Sequence, residues 1–268
     1  MSLNPQTTAC LRLCAATQGK AGGSHNGDAF AIFRREGARF ELLASNVRGE
    51  SSRFLELGDS EHLLVLVDGL GHGRHASVAA ERVLDTIEAA LHEGLALSEL
   101  VEACHSASLD TRGVVLGIAA LEKGQLSFAG VGDITAEVGS LTSFGIRDSR
   151  SLHSNQGIVG YQLPSRIDTW TTSLGEDDVL LLCTDGLVSS FALSTLDVEA
   201  LRDTSHCCAL ILERFATERD DATVLLVRGE PTASFTRAAS RPRRAQLLHA
   251  STQFLPPRTS WTGDRLRS

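Results

Sequence analysis

Four aspartates in this chain stand where an apolar run meets a glycine or a turn, an arrangement that suits the binding of a hard cation. The run Leu63-Leu64-Val65-Leu66-Val67 ends on Asp68-Gly69-Leu70-Gly71-His72-Gly73 and leads into Ala76-Ser77-Val78-Ala79-Ala80. Val179-Leu180-Leu181-Leu182-Cys183-Thr184 ends on Asp185-Gly186, Asp220-Asp221-Ala222-Thr223 opens the run Val224-Leu225-Leu226-Val227, and Gly27-Asp28-Ala29-Phe30 follows a glycine-rich loop. A carboxylate at a strand tip, beside backbone that carries no side chain, lets an aspartate and a main-chain carbonyl reach one ion together. A single Asp-Gly after a strand is also an ordinary turn. Four such carboxylates point to an oxygen-only ligand set, which suits magnesium or manganese; zinc would call for His or Cys in tight spacing.

The elements that must position these residues are strands and two helical zones. Apolar and alternating stretches predict strands over 8–16, 28–34, 38–45, 63–68, 113–121, 125–132, 134–139, 165–173, 178–183 and 222–228. Glu122-Lys123-Gly124 reads as the tight turn of a hairpin. Val78, Ala79, Val83, Leu84, Ile87, Ala90 and Leu91 recur at helical spacing between Ala76 and His92. A second helix is expected from Ser98 to Leu109, and a third over about 205–217. Clusters of strands beside paired helices, without strict βαβ alternation, argue for an α+β fold of two sheets packed face to face with helices outside.

Composition and charge narrow the class. The chain has 268 residues, 42% of them hydrophobic, enough for one large core. No stretch approaches the roughly 18 apolar residues of a membrane helix, and the N-terminus lacks a basic segment followed by an apolar one, so a cytoplasmic protein is expected. Cys10, Cys14, Cys104, Cys183, Cys207 and Cys208 show no paired metal spacing and read as reduced packing residues. From Glu230 onward seven arginines face only Glu230 and Asp264, which leaves 18 basic and 31 acidic residues ahead of that point. The expected organisation is therefore an acidic domain over 1–229 and a basic, disordered tail over 230–268. A contact of the tail with a nucleic acid or an acidic partner and a solvated tail that returns onto its own domain are both open.

In their order and spacing, Asp68-Gly69-Leu70-Gly71-His72-Gly73, Thr184-Asp185-Gly186 and Asp220-Asp221-Ala222-Thr223 resemble the SpoIIE-like bacterial branch of the PP2C metal-dependent serine/threonine phosphatases. Within it the chain is similar to the RsbX-type stressosome phosphatases. Arg112–Ala119, Leu126–Ile134 and Gly157–Pro164 resemble segments of the same subgroup, and the likeness runs from about residue 8 to 229.

The resemblance implies an αββα sandwich and two Mn2+ or Mg2+ ions that activate water against a phosphate monoester. It implies that Asp68 bridges both ions, that the Gly69 carbonyl binds one, that Asp185 and Asp220 hold the other, and that Asp28 acts through water. Asp220 is preferred to Asp221, whose position is often asparagine in relatives. The chain also departs from the wider family. Only Lys20 and His25 offer cations where relatives place a phosphate-gripping arginine, and Leu70 stands where relatives have a histidine. His72 is then the candidate general acid, a helix-start role being the alternative. Asp133, where the subgroup usually has asparagine, is a candidate ligand of a third ion. The implied substrate is a phosphorylated STAS-domain regulatory protein acted on by a monomer, with no nucleic acid and no membrane involved. An inactive binding module of the same fold and a phosphatase of small phosphate esters are the alternatives.

Overall fold

The computed structural model describes residues 10–58 and 60–230. In chain order these form β1 (Cys10–Gln18), β2 (Asp28–Glu36), β3 (Arg39–Ser45), β4 (Ser52–Leu57), β5 (His62–Gly69), α1 (Arg74–Ala90), α2 (Leu97–Ala107), β6 (Val114–Glu122) and β7 (Gln125–Val131). There follow β8 (Thr135–Thr142), β9 (Gly145–Ser151), β10 (Trp170–Ser173), β11 (Asp178–Cys183), α3 (Val198–Arg202), α4 (Thr204–Phe215) and β12 (Ala222–Glu230). Two six-stranded antiparallel sheets result, ordered β4-β1-β12-β11-β8-β9 and β10-β7-β6-β5-β2-β3. No helix among the described residues is long and apolar enough to cross a membrane.

The period of two along a strand explains why the central strands are apolar without a break. Leu64 and Leu66 of β5 face the other sheet and pack with Phe30, Phe128, Leu182 and Leu225. Val65 and Val67 point the opposite way, onto Val83 and Ile87 of α1 and Cys104 of α2. The second sheet divides in the same manner: Leu180 and Leu182 of β11 face inward, whereas Leu181 and Cys183 meet Cys208 and Ile211 of α4. A strand covered on both faces needs apolar residues at every position, and each fully buried Val or Leu contributes about 1.5–3 kcal/mol. The result is the expected αββα sandwich.

Sequence and structure part where one face of a strand meets solvent. The edge strands β4 and β9 were not expected, because Ser52–Leu57 is largely exposed and Gly145–Ser151 almost wholly so, leaving no alternation to read. The strand expected over 165–173 shrinks to the four residues of β10. Val78, placed on the apolar stripe of the first helix by spacing, is 42% exposed and turns away from the core. β12 runs to Glu230, the last of the described residues. Glu230 closes β12 opposite Cys10, and its carboxylate lies 3.0 Å from Arg12 Nη1. The expected tail otherwise lies outside the described residues.

Two close approaches fix the strand ends. A Cβ on Gly69 would lie 2.3 Å from the Ala76 carbonyl oxygen, and one on Gly186 would lie 1.9 Å from the Asp221 carbonyl oxygen. Glycine is therefore required after both Asp68 and Asp185, because the neighbouring backbone occupies the space a side chain would take. Gly186→Ala is expected to lower the unfolding free energy by about 2 kcal/mol or more in urea titration, since the clash is with main chain that has no rotamer to yield. Gly58→Ala, which meets nothing within 4 Å, should stay within about 0.5 kcal/mol. Equal effects at the two positions would refute this account of the strand end.

Candidate metal centre and active-site cavity

Asp28, the first residue of β2, and Asp68, near the end of β5, are directly opposite in the antiparallel ladder. Facing residues of such a pair have Cβ atoms roughly 5 Å apart, and like charges there repel. Both are also withdrawn from water, Asp28 to 2% exposure. Burial is the main cause that pushes the Asp28 carboxyl up to about 7; hydrogen bonds from Thr184 and Thr223 oppose the rise, and Asp221 and Asp185 add repulsion. Asp68 is pushed up to about 9, first by burial and then by the charges of Asp28, Asp185, Asp133 and Asp220. Asp185 is raised as well, by burial and then by Asp133 and Asp220. Five of the expected carboxylates thus share one electrostatic environment.

A polar scaffold holds Asp28. The Thr184 hydroxyl donates to Asp28 Oδ2 at 2.8 Å and itself accepts from the Thr223 amide at 2.9 Å. Asn46 Nδ2 donates to the Asp28 carbonyl, and the Asp28 amide donates to Asn26 Oδ1, each at 2.9 Å. Asp28 Oδ1 has no hydrogen-bond partner although it is buried. An unpartnered buried carboxylate oxygen costs several kcal/mol unless a cation takes the place of the missing donor.

The neighbours Asp220 and Asp221 have different tasks. Asp221 is 3% exposed, and its two oxygens accept the amides of Lys20 and Gly27, each at 2.7 Å, which ties the loop between β1 and β2 to the start of β12. Its hydrogen-bonding capacity serves main chain. Asp220 is left to line a cavity of about 610 Å³ together with Asp68, Asp133, Asp185 and His72. Leu70, Val115 and Ile158 supply apolar wall.

Gly69 follows Asp68 on β5 and hydrogen-bonds through its amide to the Gly27 carbonyl at 3.1 Å. Positive φ at Gly71 and Gly73 then bends the chain sharply into α1. Lys20 and His25 do not line the cavity, and among its lining residues there is no lysine or arginine. Cys183 is buried, with its thiol pushed up to about 12 by burial and then by Glu137, so it is no nucleophile.

Sequence reasoning missed the link from the Thr223 amide through the Thr184 hydroxyl to Asp28, and also Gln156, which reaches the cavity beside Ile158 from the segment after β9. The Thr residues sit beside Asp185 and Asp221, and that adjacency was the available signal. For Gln156 the available signal was its place directly before Gly157–Pro164, the segment that resembles the subgroup.

The donor chemistry fits divalent cations: hard carboxylate oxygens in a shared desolvated site, one of them without a partner. Among the described residues no three His, Cys, Asp or Glu side chains converge tightly on one point, so enclosing an ion requires side-chain rotation. Half-exposed Asp185 has the freedom for that rotation, whereas Asp28 is fixed by Thr184.

A family model described as stage II sporulation protein E (SpoIIE) matches residues 58–230. No curated protein sequence matches the chain. Several solved structures share the fold. A chain from work on the bacterial stressosome, as a modular system adapted to control secondary messenger signalling, superposes with TM-score 0.63 at 24% identity over 81% of this chain and 99% of that one. RsbX in complex with magnesium gives 0.61 at 19% identity over 85% and 98% of the two chains. The PP2C phosphatase domain of SpoIIE from Bacillus subtilis gives 0.60 at 17% identity over 83% and 64%. At such identities the superpositions establish the two-sheet sandwich, and the family model, which spans Asp68, Asp133, Asp185 and Asp220, establishes kinship. The chain belongs to the SpoIIE family, and its fold is that of the PP2C phosphatase domain.

Proposed function

We propose that this chain is a metal-dependent phosphatase that removes phosphate from serine or threonine of a STAS-domain regulatory protein. The observation that carries the reading is the ring of mutually repelling carboxylates around one cavity, with a buried oxygen of Asp28 left without a partner. Such a cluster destabilises the fold on its own and is explained by a cationic ligand. The regulatory substrate is supported by the likeness to RsbX and to a chain of the bacterial stressosome, both matched over nearly their full length. An inactive binding module would have no use for the cluster.

In this reading Asp68, the Gly69 carbonyl, Asp185 and Asp220 would hold two Mg2+ or Mn2+ ions, and Asp28 would support them through water. Asp133, which lines the same cavity, would hold a third. Bound there, divalent cations bring water toward ionisation near neutral pH and withdraw charge from a phosphoryl group. The protein's own residues do the rest. Thr184 and Asn46 keep Asp28 from swinging away. Leu70, Val115 and Ile158 limit water around the reacting phosphate. His72, exposed at the cavity rim, would be the residue that gives a proton to the departing serine oxygen.

With Mn2+ and a phosphoserine protein, Asp68→Asn and Asp185→Asn are each expected to lower kcat/KM by more than about a hundredfold, since removing a ligand exceeds the effect of disturbing its support. Circular dichroism should be unchanged. Turnover within tenfold of wild type in the Asp68 variant would reject the site.

The metal-free protein should show the cluster's repulsion as a pH dependence of stability. A carboxyl raised from its ordinary 3.8 to about 7 or about 9 binds its proton more tightly in the folded state. Its stabilising effect is present below the unfolded value and is lost as pH rises through the folded one. In chelator, the Tm should therefore fall between pH 5.5 and pH 9. Asp68→Asn should flatten that fall and raise the Tm at pH 9, and saturating Mn2+ should reverse it for wild type. A wild-type slope unchanged in Asp68→Asn would show that the carboxylates do not repel one another.

A further inference from the structure

Beside the carboxylate cavity lies a second hollow of about 500 Å³ with the opposite charge. Arg74, Val78 and Arg82 line it from α1, where spacing by four residues puts them on one face. Asp110 and Arg112, from the segment that leads into β6, line it from the other side. Arg82 is already neutralised, its Nη1 donating to Asp110. Arg74 and Arg112 are exposed and have neither an ion-pair partner nor a side-chain hydrogen bond among the described residues. Arg112 stands at the divide between the two hollows: a Cβ on Gly71, which lines the carboxylate cavity, would lie 3.1 Å from Arg112 Nη1. Exposed Val78 adds an apolar contact on the floor.

Two unpaired guanidinium groups stand out on a domain with 31 acidic and 18 basic residues ahead of Glu230. Their charge fits carboxylates. It does not fit the chain's own residues beyond Glu230, which bring seven arginines and one aspartate and would be repelled. Nor does a pair of arginines provide the long basic track that a nucleic-acid backbone needs. A segment lying here continues over Gly71 into the carboxylate cavity. At roughly 3.3 Å per extended residue, acidic side chains a few positions from a phosphorylated residue reach Arg74 and Arg112.

We propose that this groove docks acidic residues flanking the phosphoserine or phosphothreonine of the protein substrate, an inference that rests on the phosphatase function proposed above. Arg112 and Arg74 select the substrate segment and orient its phosphorylated side chain toward Asp68 and Asp185.

The test uses the full chain with Mn2+ and two phosphoserine peptides of equal length, one with Asp and Glu flanks and one with Ser and Gly flanks. Wild type is expected to favour the acidic peptide in kcat/KM by about fivefold or more. Arg74→Glu with Arg112→Glu should lower that preference by about tenfold, because attraction becomes repulsion at both positions. Arg74→Gln with Arg112→Gln, which removes charge without reversing it, should give an intermediate value and covers the case in which the reversal fails to fold. Arg39→Glu, an exposed reversal on β3, should leave the preference as it is. Equal turnover of both peptides by wild type, or a preference unaffected by the groove variants, overturns the proposal. Fluorescence anisotropy of the labelled acidic peptide separates this failure from failure of the phosphatase reading. If wild type hydrolyses neither peptide nor p-nitrophenyl phosphate, the phosphatase reading falls, while tighter binding of the acidic peptide that is lost in the Arg74/Arg112 variants still supports the groove. Displacement of the acidic peptide by a single-stranded oligonucleotide at equal concentration would count against a protein segment as its occupant.

Discussion

Like charges buried side by side are the condition to which the rest of this structure answers. Asp28 and Asp68 face each other across a ladder, with Asp133, Asp185 and Asp220 close enough to raise the proton affinity of Asp68. Left to itself such a group would splay apart or draw water inward. Three apolar layers prevent this. The inter-sheet core anchors β2, β5, β11 and β12, and the helices on the two outer faces clamp the same strands from behind. The carboxylates therefore sit at the ends of the strands least able to move.

The polar interactions around the site serve the same purpose at shorter range. Thr184 bridges Asp28 and the Thr223 amide, which ties the two sheets together at the rim of the cavity. Asp221 holds the loop between β1 and β2 through two main-chain amides, and Gly69 and Gly186 let neighbouring backbone press against the strand ends. Adjacent aspartates at 220 and 221 consequently divide the labour: one carboxylate builds the loop and the other remains available to the cavity. Replacing Asp221 removes architecture, whereas replacing Asp220 changes the lining of the cavity.

Charge is segregated across a short distance. The cavity is edged by carboxylates, and the neighbouring groove by Arg74 and Arg112. A negative site flanked by a positive one presents opposite fields within a short stretch of surface. That juxtaposition arises because the turn after β5 and the segment before β6 meet, the Leu70 amide bonding to the Gly113 carbonyl at 3.0 Å.

The sequence by itself determined the buried strands, the outer helices and the carboxylates, because these depend on local pattern. An uninterrupted apolar run such as Leu63–Val67 has to be covered on both faces, and an Asp-Gly at its end has to mark a strand tip. The preference for Asp220 over Asp221 came from the resemblance, and the two amides that Asp221 accepts commit its carboxylate to the loop. What lacked a local pattern was not legible. Exposed β4 and β9 have no alternation, and Val78 follows the core spacing of its helix yet faces outward, because α1 is covered on one side only. Only the tertiary structure decided that Asp28 stands opposite Asp68, that Thr184 reaches across 156 positions of chain to hold it, and that Arg112 comes to lie beside Gly71. Sheet register and loop packing bring distant residues together through burial and main-chain hydrogen bonding summed over the whole domain, and no short stretch of sequence carries that sum.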